Sequence, residues 1–510
     1  MPDPAPEKKQ AVPLAAANSR GNILKATSLI GGASAVSLLV GLSRMKIAAL
    51  VLGPAGIGLI GLFQNFMQTA TAVASLGLGT TGTRQIADAA GKEDDSRMAV
   101  ARVALFRGSL FLAVVAAVVI WVFRLPLARM VVGRADQAST IGWLGVGVAL
   151  SVAAGAQTAL LTGLRRIGAL ATLTVGAAAA SAAIGVAALL LAGPAGIALF
   201  VVAAPVASFV LGLGYVRRIP QAPRGRIEPG ALWREWRVLA TLGLAFTVAG
   251  AAATAGQLVA RTFIQHDLGA FALGEFQAAW LISITYVNFV LQAMTTDFYP
   301  RLSAVFGDHE EVNRLVNDQA EIALMLAAPI LLGMMGLAPW VVFLLYSKAF
   351  VATAAILQWQ ILGDALKIAS WPLGYLILAS GDGRTFMFVE VAVMAVFVLA
   401  VRAGLQLIGL EASGIAVLAM YLFYLPLVYA VARRKTGFRW QRGVLVKAAI
   451  LAAALIATFL MAGRSPVAGA VVGVVLALVF GIVAIRLIGD ALPGRFTRLA
   501  APFRRRPGVR

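Results

Sequence analysis

LGPAGIG, Leu52 to Gly58, recurs as LGAFALG at Leu268 to Gly274, sharing L-G-x4-G at an interval of 216 residues. Each copy separates two long apolar runs, and each is preceded by an arginine, Arg44 in one case and Arg261 in the other. Glycine-rich tight turns between apolar runs of roughly 20 residues are how a chain reverses at a membrane face. Working outward, GLRR at 163–166 and GDGR at 381–384 share G-x-x-R, and GIA at 196–198 recurs at 414–416, both at an interval of 218. Arg217–Arg218 and Arg433–Arg434 close corresponding runs, again 216 apart. Four matches at nearly one interval, all at equivalent turns, predict a six-helix unit repeated in the same orientation. Parallel repeats imply two lobes about an axis along the membrane normal, with a substrate path between them.

Composition agrees. Of the 510 residues, 60% are hydrophobic and 13% charged, about half the charged share of a soluble domain, and the mean hydropathy is +0.88. With no cysteine, disulfides, iron–sulfur clusters and thiolate metal sites are excluded, and His266 and His309 are too few for a histidine cluster. No metal or cofactor is expected. Apolar runs predict an all-α integral membrane protein of about 14 spans, near 24–53, 56–82, 102–123, 139–163, 168–192, 195–216, 237–263, 273–299, 319–346, 353–379, 385–409, 412–432, 443–463 and 467–488. The expected organisation is a disordered N-tail (1–22), an N-lobe (23–218), a linker (219–236), a C-lobe (237–435), an accessory helix pair (443–488) and a basic tail (489–510).

With both termini on the cytoplasmic side, the inner segments carry 32 Lys and Arg against 7 on the outer side, the asymmetry of the positive-inside rule. The net charge of +21 is then an anchor to anionic lipid, in RRIPQAPRGR, RRKTGFRWQR and FRRRPGVR, and no nucleic-acid partner is needed. GKEDDSR, with Glu93, Asp94 and Asp95, reads as a solvated inner loop.

Within the spans, polar residues fall at helical spacing. The second span offers Gln64, Gln68, Thr71 and Ser75; the seventh Thr247, Gly250, Thr254, Gln257 and Arg261; the eighth Thr285, Asn288, Gln292, Thr296 and Tyr299; the tenth Gln360, Asp364, Lys367 and Trp371. Such stripes serve either interhelical hydrogen bonding or a hydrated cavity; their presence in both lobes, several with charge, favours the cavity. Arg44 and Lys46 turn about 200° from one another on a helix. Arg44 shares its face with Gly41, Ser37 and Ser34 and reads as inward, with snorkelling the alternative; Lys46, among Leu39, Leu42 and Leu50, reads as snorkelling to headgroups. Two lobes each presenting arginine suit an anionic ligand, because guanidinium pairs bidentately with phosphate. Asp364 and Lys367, at i and i+3, can touch: either a structural ion pair, or a coupling carboxylate with its partner. Glu275, Asp297 and Glu390 are weaker candidates of the same kind.

SLIGGASAVSLLVGLSRMKIAALVLGPAGIGLIGLFQNF, FYPRLSAV and WQILGDALKIASWPLGYLILAS resemble the Wzx-type flippases for O-antigen and enterobacterial common antigen, of the multidrug/oligosaccharidyl-lipid/polysaccharide exporter superfamily, over about residues 23–435. The resemblance implies a non-enzymatic bacterial inner-membrane protein that moves undecaprenyl-diphosphate-linked oligosaccharide to the periplasmic leaflet. It implies V-shaped alternating access coupled to an ion gradient or membrane potential. It also implies membrane lipids, a polysaccharide polymerase and chain-length machinery as partners. The expected diphosphate and sugar ligands are Arg44, Arg261, Lys367, Gln64, Gln68, Gln257, Asn288 and Gln292; the expected coupling carboxylates are Asp364, Glu275, Asp297 and Glu390. The two extra C-terminal helices depart from the Wzx pattern and match the count of the peptidoglycan-precursor flippases. The rival readings are a multidrug antiporter of the same architecture and, in another class, a membrane-embedded polymerase or ligase, against which the short outer loops argue.

Overall fold

A computed structural model describes residues 15–92, 94–220 and 229–491, with side chains undescribed at 15–28, 229, 231–235, 238–246, 249, 292–297 and 487–491. The described residues contain helices and no strand. The helices are α1 (Ala15–Ala74), α2 (Leu78–Gly91), α3 (Asp95–Val122), α4 (Arg124–Val131), α5 (Ala138–Gly163), α6 (Ile167–Ala192) and α7 (Ile197–Arg217) in the first half. The second half holds α8 (Pro229–Ala304), α9 (His309–Leu345), α10 (Thr353–Ala379), α11 (Gly383–Ile408), α12 (Ala412–Thr436), α13 (Arg442–Arg464) and α14 (Pro466–Ala491).

Among the described residues, ten apolar stretches are long enough to cross a bilayer. Four of them, Leu29–Ala74, Ile167–Arg217, Gly250–Leu291 and Gly383–Thr436, are broken once each by a glycine with positive φ, namely Gly53, Gly193, Gly269 and Gly409. Splitting each at its glycine gives fourteen limbs, so this is a multi-pass membrane protein. The breaks pair up. Gly53 (φ 64°, ψ −167°) matches Gly269 (φ 84°, ψ 177°), and Gly193 (φ 53°, ψ −130°) matches Gly409 (φ 66°, ψ −142°). Positive φ with ψ near 180° is open essentially only to glycine. Pro54, directly after the first break, lacks an N–H where the new limb would leave one unsatisfied. A third pair, Arg165 (φ 52°) and Gly381 (φ 71°), lies at the same spacing. The repeat interval is therefore 216 at all three turns. The spacing of 218 between the G-x-x-R and GIA matches is two residues out of register, because short glycine patterns recur within the same turn.

α1, α3, α8 and α9 begin earlier than the expected spans, at Ala15, Asp95, Pro229 and His309, and two further features differ. The second limb of α1 ends at Ala74, not 82: Leu76 (φ 44°) and Gly77 (φ 67°) turn the chain, and α2 is a separate short helix. α2 packs through Leu78 and Ile86 on Leu105 and Leu160 in a small core of its own. Arg124–Val131, read as loop, forms α4.

α1 packs on α6, α3 on α5 and α5 on α7 in the first half, while α8, α9, α10, α11 and α12 pack together in the second. The halves meet chiefly where α1 crosses α8. α14 lies along α9, where Gly336 faces Gly469 and Gly473 so closely that a Cβ at position 336 would lie 2.5 Å from the Gly469 carbonyl oxygen. Small residues let membrane helices approach in this way. Lys447 of α13 pairs with Glu321 of α9, and Asn317 of α9 holds the α12–α13 connector by accepting from the Gln441 N–H and donating to the Arg439 carbonyl. The accessory pair is thus fixed to the second half through α9 and α10.

Candidate functional site

The two halves close on each other at the end of the molecule that carries Gly53 and Gly269. There the second limb of α1 and the second limb of α8 touch backbone to backbone. A Cβ on Gly274 would lie 1.8 Å from the Pro54 carbonyl oxygen, and one on Gly58 would lie 2.5 Å from that of Ala270. One turn further, the Gln277 side chain lies flat on Gly61, 2.3 Å from where a Cβ would stand. From this seam α1 becomes progressively exposed toward Ala74: Gln64 and Thr71 are half-buried and Gln68 is exposed. On α8, Gln257 is half-buried and Asn288 is exposed. Exposed amides in mid-membrane helices belong to a water-filled cleft more readily than to lipid. Gln292 and Asp297 have side chains outside the described residues.

Arg44 turns away from this seam into the first half. Its guanidinium lies over the Phe200 ring, 3.9 Å from the centroid, and donates through Nη2 to the Phe200 carbonyl. It rests on Gly185 of α6, where a Cβ would come within 3.2 Å of Nε. That Nε is buried without a partner, as is the Ser37 hydroxyl two turns back on the same face. Burying an unsatisfied donor costs about 1–3 kcal/mol, so this Nε is a candidate ligand contact once the surrounding helices move.

Arg261 is fully engaged in the second half. It is 2% exposed, donates through Nε to Gln277 Oε1 at 3.0 Å and through Nη1 to the Gln257 carbonyl at 3.2 Å, and sits between the Phe276 and Trp280 rings. Among the described residues, Arg44 is held by Phe200 and Gly185 of the first half and Arg261 by Gln257, Phe276, Gln277 and Trp280 of the second, so each arginine is seated in its own half. What Arg261 does hold is Gln277, the side chain that lies on Gly61 across the seam.

The second cluster forms around Asp364 on α10. Its Oδ2 accepts from Ser283 at 2.7 Å and from the Tyr286 hydroxyl, both on α8. Asp364 is 2% exposed. Lys367 does not form a contact ion pair with it: the ammonium lies over the Tyr421 ring of α12, 5.8 Å from the centroid, and interacts at longer range with Asp364 and Glu390. The side chain satisfied by i, i+3 spacing on paper is outcompeted by two hydroxyls from the facing helix. One turn earlier, Gln360 is fully buried with both amide atoms unpartnered. Glu390 is half-buried at the edge of this cluster. The described residues contain no group of three or more metal-ligating His, Cys, Asp or Glu.

Glu275 has a different placement. It is buried, and its Oε2 accepts from the Thr353 N–H at 2.7 Å and from the Thr353 hydroxyl. It caps the N-terminus of α10, satisfying donors that a helix start leaves open. Asp94 caps α3 likewise, accepting from the Arg97 N–H. Lys46, read as snorkelling, instead donates to the Phe343 carbonyl at 3.1 Å and to the Tyr346 carbonyl, at the end of α9. Sequence reasoning missed Ser283, Tyr286 and Gln277; the S-x-x-Y spacing on α8 was the available signal for the first two.

A family model described as "Polysaccharide biosynthesis protein" matches residues 47–355. The lipid III flippase of Escherichia coli (strain K12) is 25% identical over 166 residues, which are 32% of this chain and 40% of that protein. The lipid III flippase of Shigella flexneri matches to the same extent. The chain thus aligns with less than half the length of these relatives. Among solved structures, a multidrug resistance MATE family transporter of the MOP superfamily, inward-facing, superposes with TM-score 0.69 at 17% identity, over 79% of this chain and 94% of that one. The lipid II flippase MurJ, inward closed, superposes with TM-score 0.67 at 13% identity, over 90% and 99%. These likenesses establish the fold.

Proposed function

The chain belongs to the polysaccharide biosynthesis protein family, and from that premise we propose that it is a flippase moving a diphosphate-linked polyprenyl oligosaccharide from the cytoplasmic to the periplasmic leaflet of a bacterial inner membrane. The observation that carries this reading is the seam at the Gly53–Gly269 end combined with the polar, increasingly exposed face of α1 beyond it. A cleft closed at one end and open at the other is one half of an alternating-access cycle. Gln64, Gln68, Gln257 and Asn288, with Gln292, meet the sugars. Arg44, whose Nε has no partner in this conformation, binds the diphosphate with Arg261 and Lys367 in a conformation where the halves have moved. The prenyl tail stays in lipid. The fold is shared with a MATE family multidrug transporter; a cationic substrate would call for carboxylates where this chain offers arginine.

Asp364 is the coupling group of this proposal. A buried carboxylate with hydroxyl donors from a neighbouring helix, and an unsatisfied amide at Gln360 one turn away, is a place for a cation or a proton to bind and tighten α8 against α10. Lys367 and Glu390 set the local charge; Asp297 and Glu275 remain assigned to the coupling path, Glu275 through its hold on α10.

The experiment is deletion of the gene in its native host, followed by analysis of lipid-linked intermediates. Accumulation of a complete diphosphate-linked oligosaccharide facing the cytoplasm supports the flippase. An unpolymerised unit already in the periplasm points to a polymerase or ligase, and loss of drug resistance with unchanged glycolipid points to an antiporter.

A further inference from the structure

We propose that Lys46 is the latch that holds the two halves together at the Gly53–Gly269 end, and that it must let go in every transport cycle. The proposal rests on the alternating-access reading above. Lys46 stands on α1, in the first half, and its ammonium donates to the Phe343 and Tyr346 carbonyls of α9, in the second. These are among the last carbonyls of that helix, which has no further turn to satisfy them; Tyr346, the C-cap residue, returns its own N–H to Val342. A cation at a helix C-terminus meets both the unpaired carbonyls and the negative end of the helix dipole. Here the cation comes from the other half of the molecule, roughly 300 residues away in sequence. The contact therefore exists only while the halves are closed.

Two neighbouring features support a latch. The α9–α10 connector that receives Lys46 is pinned at its far end by Glu275, which caps α10 from α8 next to the Gly274–Pro54 contact. Lys46 thus grips a rigid part of the second half. Lys348 is also near Phe343, with its ammonium 5.8 Å from the ring centroid against 5.9 Å for Lys46. Lys348 belongs to the second half, so it supplies a similar charge at the same helix end without linking the halves. The bilayer does not provide this arrangement: an ammonium that snorkels to headgroups has no reason to meet two backbone carbonyls of one helix end.

The test uses the absence of native cysteine. Spin labels at Leu50→Cys on α1 and Leu344→Cys on α9, both exposed, report the separation across the latch in the full-length protein in nanodiscs. Lys46→Met is expected to raise the ratio of the long-distance to the short-distance population roughly two- to thirtyfold, the range for a cation at a helix C-terminus. Lys46→Arg should retain the parent distribution, and Lys348→Gln should leave it unchanged. An unchanged distribution in Lys46→Met, or an equal shift in Lys348→Gln, overturns the latch. Lys46→Gln, which keeps a donor and the side chain's polarity, gives an intermediate shift and substitutes should the Met variant fail to accumulate; no shift in it likewise overturns the proposal. The readout needs no substrate, so a confirmed latch in a protein that moves no glycolipid would refute the proposed function alone.

Discussion

Gly274→Ala is a single methyl placed where the two halves of the molecule touch. The Cβ would stand 1.8 Å from the Pro54 carbonyl oxygen and 2.4 Å from its carbon. Ordinary contact begins near 3.4 Å, so the helices must part by about 1.6 Å or the backbone must distort. Both atoms in the way are main chain, and neither can swing aside as a flexible side chain would. Overpacking of this kind costs about 1–3 kcal/mol. The clash is present only in the closed arrangement, so this penalty falls on one conformation and shifts the equilibrium about 5- to 150-fold toward the open one. Spin labels at Leu50→Cys and Leu268→Cys, both exposed beside the glycine breaks, measure the shift as growth of a longer-distance population. Transport should fall because the inward-open intermediate is depleted, while the protein still reaches the membrane. If Gly274→Ala leaves both the distance distribution and transport as in the parent, the seam is not a gate and the closed-end reasoning is wrong.

Three other expectations follow from the same geometry. Gly185→Leu places a side chain where Arg44 lies, so it should impair transport as severely as Arg44→Ala while leaving expression intact; normal transport in both would remove Arg44 from the binding site. Asp364→Asn keeps the size of the side chain but removes the charge held by Ser283 and Tyr286, and should abolish gradient-driven transport while preserving substrate-induced protection from proteolysis; retention of gradient-driven transport would exclude Asp364 as the coupling group. At the opposite end, Asp382 has its carboxyl held well below the usual carboxylate range, first by Lys435 at 2.8 Å and then by the Thr385 N–H and hydroxyl. A depressed native value adds stability above the unfolded-state value near pH 4, and that stability is lost as pH falls through the native value. Asp382→Asn should therefore lower Tm in detergent at pH 7, with the difference from the parent narrowing below about pH 4.

Much of the architecture was legible because bilayer-crossing helices must satisfy their backbone internally, leaving length, apolarity and glycine breaks as the main variables. The L-G-x4-G pair located two of the four glycine breaks, and the spans from 138 onward begin and end within a few residues of their helices, apart from α8 and α9, which extend well beyond the bilayer. The end of the second limb was misplaced because LGLGTTG reads as a continuous weakly apolar run; the turn depends on the positive φ of Leu76, which sequence does not advertise. The site was harder. Arg44, Arg261 and Asp364 stood out as charges in apolar helices, yet what each touches depends on the facing helix. Phe200 and Gly185 seat Arg44, Gln277 engages Arg261, and Ser283 and Tyr286 engage Asp364. Lys46 was the least legible, since its acceptors are main-chain carbonyls and carry no residue signature at all.

The central claim is that this chain carries a diphosphate-linked glycolipid across the bilayer. The direct measurement places the purified protein in sealed vesicles with a polyprenyl-diphosphate-linked oligosaccharide in the lumenal leaflet and follows its exposure to an external glycan-cleaving enzyme under an imposed ion gradient. Glycan should become accessible at a rate that requires the protein and the gradient, and that drops to the protein-free rate with Arg44→Ala. Exposure no faster than in protein-free vesicles, with the protein shown by its spin-label distances to be moving between closed and open, would contradict the account.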